Sequence, residues 1–166
     1  LLLAASAKVK VPIEPVPVTM QVFVVLALGL SLGMRLAAAA VFLYLAQGAA
    51  GLPVFTGTPE KGLGLAYMVG PTGGYLLGYL LAAVLTGWLA DRGFARNPVL
   101  AVIAAFLGTA VIYIAGLAWL GTLLGWDKPI LAWGLWPFVV PDAVKATLAG
   151  LIVPTAWALT RKRPQS

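Results

Sequence analysis

Apolar runs dominate this chain, and short polar or glycine-proline breaks separate them. A helix that crosses a bilayer needs about 17–25 residues of such sequence. The first run, Leu1 to Ala7, is too short to cross and reads as the last turns of a helix. Lys8 to Val18 follows, a polar stretch with Pro12, Pro15 and Pro17. Prolines at that density favour an extended, stiff chain. Apolar runs then extend from Thr19 to Gly33, ending at Met34-Arg35, and from Leu36 to Gly51, ending at Leu52-Pro53. A glycine-rich loop carries Glu60 and Lys61. The next helix starts near Gly74 and ends at Asp91-Arg92. Asn97-Pro98 opens a long run reaching Gly125, which tilts or projects beyond the lipid. Asp127-Lys128-Pro129 and a tryptophan-rich loop come next, and the last helix runs from Pro141 to just before Arg161-Lys162-Arg163. No segment alternates polar and apolar as a barrel strand must. The pattern predicts an all-α polytopic membrane helix bundle, a single domain over residues 1–166. Five spans are complete and the first is truncated, so six transmembrane helices are expected in the intact protein. The start at Leu1 rather than at a Met agrees with a beginning that lies upstream.

Composition supports this and removes much else. Of 166 residues, 61% are hydrophobic and 10% charged, against about 45–50% and about 25% in soluble domains. Neither a small soluble globule nor a disordered chain accommodates that ratio. With no cysteine and no histidine, disulfides, thiol catalysis, haem, the usual zinc sites and imidazole relays drop out. No catalytic or metal-binding set is predicted. The net charge of +6 sits at helix ends, not on a dense basic face, so no nucleic-acid partner is expected. With the tail Arg161, Lys162, Arg163 placed in the cytoplasm, Arg35, Arg92 and Arg96 join it. Lys8, Lys10, Lys61 and Lys128 then face outside. Every arginine falls inside, as the positive-inside rule favours. The outer segments are the longer ones, rich in proline, glycine and aromatics, which places a candidate site on the outer side.

Three motifs there carry chemistry. Pro141-Asp142-Ala143-Val144-Lys145 sets an acid and a base three residues apart, on one face of a helix. Pro141 suits a first helical position and Asp142 the helix dipole. The pair reads as a structural ion pair with a cap, or as a grip on a ligand with N–H donors at one end and a carboxylate at the other. Gly70-Pro71-Thr72-Gly73-Gly74-Tyr75 is a turn entering a helix. Its glycines let backbone N–H groups approach a ligand, or let helices pack closely. No Lys-Ser or Lys-Thr follows, so it is not a phosphate loop. In Pro17-Val18-Thr19-Met20-Gln21, Thr19 is placed to cap the following helix. Gln21 is an amide that needs a partner in its apolar setting. Gly29 to Gly33, Gly74 to Gly78 and Gly121 to Gly125 read as helix-packing motifs. Tyr113, with Thr109 one turn away, reads as packing.

Together, Pro17-Val18-Thr19-Met20-Gln21, Gly51-Leu52-Pro53-Val54-Phe55, Gly70-Pro71-Thr72-Gly73-Gly74-Tyr75 and Pro141-Asp142-Ala143-Val144-Lys145 resemble the BioY family in order and spacing. That family is the biotin-specific substrate-binding component of energy-coupling factor (ECF) transporters. The resemblance runs from about Val11 to Leu159. It implies six helices in the bacterial cytoplasmic membrane, both termini cytoplasmic, and a biotin pocket under the outer loops. It implies as partners a transmembrane coupling protein and two cytoplasmic ATPases, although some members occur without a dedicated module. It implies no cofactor and no enzyme activity of the chain itself. The first helix, which in the family contacts the coupling protein, is almost absent here.

Under this resemblance Asp142 accepts from a ureido N–H of biotin, and Lys145 meets the carboxylate or the ureido oxygen. Thr72, Gly73 and Gly74 supply backbone N–H groups. Tyr75, with Trp133 or Trp136, covers the ring, and Thr19 and Gln21 complete the set. The competing readings are a binding component for another vitamin such as riboflavin or thiamine, a membrane-embedded enzyme, and a channel subunit. A channel needs a continuous polar path, and the spans show few polar residues at mid-depth.

Overall fold

Helix α2, spanning Gln21–Ala49, is continuous in sequence but not in direction. Gly33 inside it takes φ 76° and ψ 175°, a region open essentially to glycine alone. A straight helix would hold Gln21 and Tyr44 roughly 34 Å apart, at about 1.5 Å per residue. Instead the Gln21 Nε2 amide donates to the Tyr44 hydroxyl over 2.6 Å. The chain therefore folds back at Gly33 into two antiparallel arms, 21–32 and 34–49. They correspond to the two apolar runs separated by Gly33-Met34-Arg35. Asp91 secures the fold-back: its Oδ2 accepts the Met34 backbone N–H over 3.1 Å, a bond available to a helix N-terminus.

This computed structural model describes residues 1–57 and 62–161. Glu60, Lys61, Lys162 and Arg163 lie outside the described residues. Before α2 come α1 (Leu2–Lys8) and a short antiparallel ribbon, β1 (Lys10–Val11) with β2 (Val18–Thr19). Lys10 pairs with Thr19 and Val11 with Val18. The proline-rich stretch is thus a looped ribbon rather than one extended strut, because the residues flanking its prolines can pair with each other. After α2 come α3 (Leu65–Met68), α4 (Gly73–Asp91), a 3-10 turn (Phe94–Arg96), α5 (Pro98–Leu124), α6 (Ile130–Gly134) and α7 (Trp136–Arg161). Among the described residues, four helical stretches are long and apolar enough, by total length and composition, to cross a membrane: Gln21–Ala49, which Gly33 folds into its two arms, Gly73–Asp91, Pro98–Leu124 and Ile130–Thr160. The architecture is an all-α polytopic bundle.

The bundle closes as a ring in which α4 packs on α2 and α5, and α7 on α5 and α2. Between apolar helices in lipid the hydrophobic effect offers little, so close approach must hold them together. The seams are accordingly built from small residues: Ala37, Ala82, Ala83, Ala101, Ala104 and Ala146 are fully buried. A Cβ at Gly78 would lie 2.8 Å from the Ile112 Cα of α5, too near to fit without moving backbone. Asn97 caps α5, its Oδ1 accepting the N–H groups of Val99 and Leu100 over 2.8 and 3.3 Å.

One boundary differs from the sequence expectation. Helix α7 begins at Trp136, not at Pro141, and holds Pro141 and Pro154 in its interior. The Trp136–Val140 turn is kept helical by Phe138, whose buried ring stacks on Tyr75 at 6.2 Å between centroids. Asp142 therefore lies in the second turn and does not cap the helix.

Candidate functional site

Six segments converge at the end of the bundle opposite Gly33. They are the ribbon, the start of α2's first arm, the loop after its second arm, the start of α4, and the facing turns of α5 and α7. At the centre is the acid–base pair. Asp142 is 1% and Lys145 7% exposed. Lys145 Nζ donates to Asp142 Oδ1 over 2.8 Å and to the Thr19 backbone carbonyl over 2.6 Å. The Tyr113 hydroxyl of α5 donates to Asp142 Oδ2 over 2.8 Å. Three elements are thus drawn to one buried charge pair. Desolvating both ions is costly, and the extra hydrogen bonds offset that cost.

A second polar cluster adjoins it. The Thr19 hydroxyl accepts the Gln21 backbone N–H over 3.2 Å, so it satisfies a free donor at the start of α2. Gln21 is 2% exposed. Its Oε1 accepts from the Thr56 hydroxyl over 3.2 Å, while its Nε2 is taken by Tyr44. Tyr44 in turn donates to the Val54 carbonyl over 3.1 Å. No buried side-chain N or O atom among the described residues lacks a partner. The network is complete without a ligand.

Between the two clusters lies a chamber of about 20 Å³, lined by Thr19, Gln21, Thr56, Tyr79, Tyr113 and Asp142 among others. Thr72, Tyr75 and Phe138 complete its wall. That volume holds a water at most. Outside it opens a vestibule of about 520 Å³ that includes Lys10, Gly57, Tyr67 and Pro71. Pro17, Thr56 and Thr72 line both spaces and form the partition.

The predicted residues divide accordingly. Asp142, Tyr75, Thr72, Thr19 and Gln21 line the chamber. Lys145 stands behind it, reaching in through Asp142. Tyr75 is buried, and its hydroxyl donates to the Gly134 carbonyl over 2.7 Å. Gly73 and Gly74 are not in the lining. A Cβ on Gly73 would overlap the Met68 carbonyl, and one on Gly74 the Trp119 side chain. Their smallness serves helix approach. Trp136 is 64% exposed, and neither it nor Trp133 reaches the chamber; the aromatic wall comes from Phe138 instead. Sequence reasoning missed Tyr113, Tyr79, Tyr44 and Thr56. Tyr113 carried a usable signal, a hydroxyl amid a long apolar span that demands a partner. Thr109, its neighbour one turn away, spends its hydroxyl on the Ala105 carbonyl over 2.9 Å and has no part in the site.

A family model described as the BioY family matches residues 1–162. The chain belongs to the BioY family. Among BioY relatives, one from Pyrococcus horikoshii, named a probable biotin transporter, is 38% identical over 112 residues. That match covers 68% of this chain and 62% of the relative. A second, from Methanothermobacter thermautotrophicus and also named a probable biotin transporter BioY, is 39% identical. It covers 74% of this chain and 80% of the relative. In three dimensions the chain resembles the crystal structure of an S-component for biotin from an ECF-type ABC transporter. The TM-score is 0.81 at 26% identity, covering 95% of this chain and 85% of that one. The BioY chain thus shares its bundle with that S-component for biotin.

Proposed function

We propose that this chain binds biotin from the outer side of the cytoplasmic membrane, as the substrate-binding component of an ECF-type transporter. The observation that carries the reading is the buried Asp142–Lys145 pair beside a polar, aromatic-walled chamber. The relatives' names and the structural neighbour support it. Biotin offers two ureido N–H donors, a ureido carbonyl, an apolar thiophane ring and a carboxylate. Asp142, lining the chamber, accepts a ureido N–H in place of the Tyr113 or Lys145 bond. Lys145, released from Asp142, meets the ureido oxygen or the carboxylate. Tyr75 and Phe138 flank the ring.

In the state described, the two charges satisfy each other and the chamber is shut. Ligand pockets run to about 300–1,000 Å³, so the partition at Pro17, Thr56 and Thr72 withdraws to admit the ligand and closes again over a chamber that has widened around it. The ligand then takes over hydrogen bonds that the network already makes. This exchange favours a ligand whose donors and acceptors match and penalises one that leaves any of them unpaired. The chain does no chemistry on biotin. A transmembrane coupling protein and two ATPase subunits supply the energy, and the C-terminus lies in the cytoplasm.

Isothermal titration of the detergent-solubilised protein with biotin, riboflavin and thiamine tests the reading. Heat with biotin alone is expected. Asp142→Asn and Lys145→Ala should each weaken biotin by at least about 1.5 kcal/mol, the lower range for hydrogen bonds to charged groups. Binding of riboflavin or thiamine instead of biotin would overturn the assignment.

A further inference from the structure

The loop that closes the chamber is tied down from outside by two lysines. Lys8, in the last turn of α1, donates from Nζ to the Phe55 carbonyl over 2.8 Å. Lys10, the first residue of β1, donates to the Thr56 carbonyl over 2.8 Å. Bonds from an ammonium are charge-assisted and stronger than neutral ones. Both fall on consecutive residues of one short loop.

That loop is the partition itself. Thr56 lines the chamber on one side and the vestibule on the other. Inward, its hydroxyl donates to Gln21. Next to it the Phe55 ring is wedged between Tyr44 and Tyr67, with centroids 5.5 and 5.3 Å away. The ribbon that presents Lys10 is anchored in turn. Lys10 is the register partner of Thr19, whose carbonyl accepts from Lys145. The lysines therefore pull from a fixed support, and their removal leaves Phe55 and Gln21 in place.

We propose that Lys8 and Lys10 are positioning residues that latch the Phe55–Gly57 loop across the chamber mouth and so set the rate at which ligand enters and leaves. The proposal rests on the biotin reading for its use in uptake. The latch touches the loop and not the ligand. It stabilises the shut loop with the chamber filled or unfilled, so loosening it speeds entry and exit together and leaves equilibrium affinity nearly constant.

Because the chain contains no cysteine, Val16→Cys places a single thiol in the chamber lining. Labelling of V16C by a water-soluble, anionic methanethiosulfonate reports how often the mouth opens, without any biotin. Lys8→Met with Lys10→Met in that background should label at least about tenfold faster, the effect of losing even one hydrogen bond to a charged group. The single changes should give smaller increases, and Lys8→Arg with Lys10→Arg, which keep the donors, should restore the slow rate. Stopped-flow biotin binding to K8M/K10M should show association and dissociation rising by the same factor, with Kd unchanged within about twofold. Labelling rates equal to V16C alone would overturn the latch. So would faster dissociation with weakened affinity and a lowered thermal midpoint, which marks a merely structural role. Absence of biotin binding to the unsubstituted chain would overturn the biotin reading and leave the labelling result to judge the latch.

Discussion

Tyr113 decides how the central pair behaves, because it supplies the third bond to two charges that, among the described residues, otherwise have each other and the Thr19 carbonyl. Its hydroxyl lies 2.8 Å from Asp142 Oδ2. Tyr113→Phe removes that donor and little volume, so the folded state should lose about 1.5 kcal/mol, measurable by denaturant titration. The pair itself calls for a double-mutant cycle. Asp142→Asn or Lys145→Met alone strands a buried charge, and the single variants should lose about 3 kcal/mol of unfolding free energy. The double variant should lose less than the sum of the two, since neither charge remains uncompensated. Additive losses in denaturant titrations would show that the two side chains act independently. Asp142 and Lys145 were visible in sequence because two charges three residues apart in apolar surroundings leave few explanations. Tyr44, Thr56 and Tyr79 were not. Their hydroxyls look ordinary until the fold brings together arms that are distant in sequence.

The elements tell a similar story with a different cause. Span ends were legible wherever an apolar run met a charge or a helix breaker, as at Asn97-Pro98 and Asp91-Arg92. The reversal at Gly33 was legible too, since Gly33-Met34-Arg35 interrupts the run. The early start of α7 was not, because Trp136-Pro137-Phe138 reads equally well as loop, and only the stacking of Phe138 on Tyr75 makes it helix. The two-residue strands of the ribbon were hidden for the same reason: their pairing is tertiary and leaves no period in the sequence. At the element scale the sharpest expectation concerns the reversal. Gly33→Ala forces a side chain into φ 76° and against the Asp91 carboxylate. The penalty should be about 1–3 kcal/mol. It should appear as a lower thermal midpoint in detergent. Asp91→Asn keeps an acceptor for the Met34 N–H and should be much milder.

For the whole molecule, the site belongs to no single helix. Ribbon, α2, α4, α5 and α7 each contribute, so a ligand in the chamber ties the ring together. Saturating biotin at 100 times its Kd should stabilise the protein by about 2.7 kcal/mol. The rise in thermal midpoint should track biotin concentration, and riboflavin should produce none. The bundle was readable from hydropathy, whereas the closing of the ring depends on which alanines and glycines meet, a matter of shape that composition does not report.

The first arm of α2 runs only from residue 21 to residue 32 before Gly33 turns it back. At about 1.5 Å per residue it covers roughly 18 Å, well short of a hydrocarbon core of about 30 Å. Where this arm meets lipid, neighbouring acyl tails should shorten or tilt to match it. Lipids with shorter tails should therefore suit this protein better than long ones, as a higher thermal midpoint in short-chain bilayers would show.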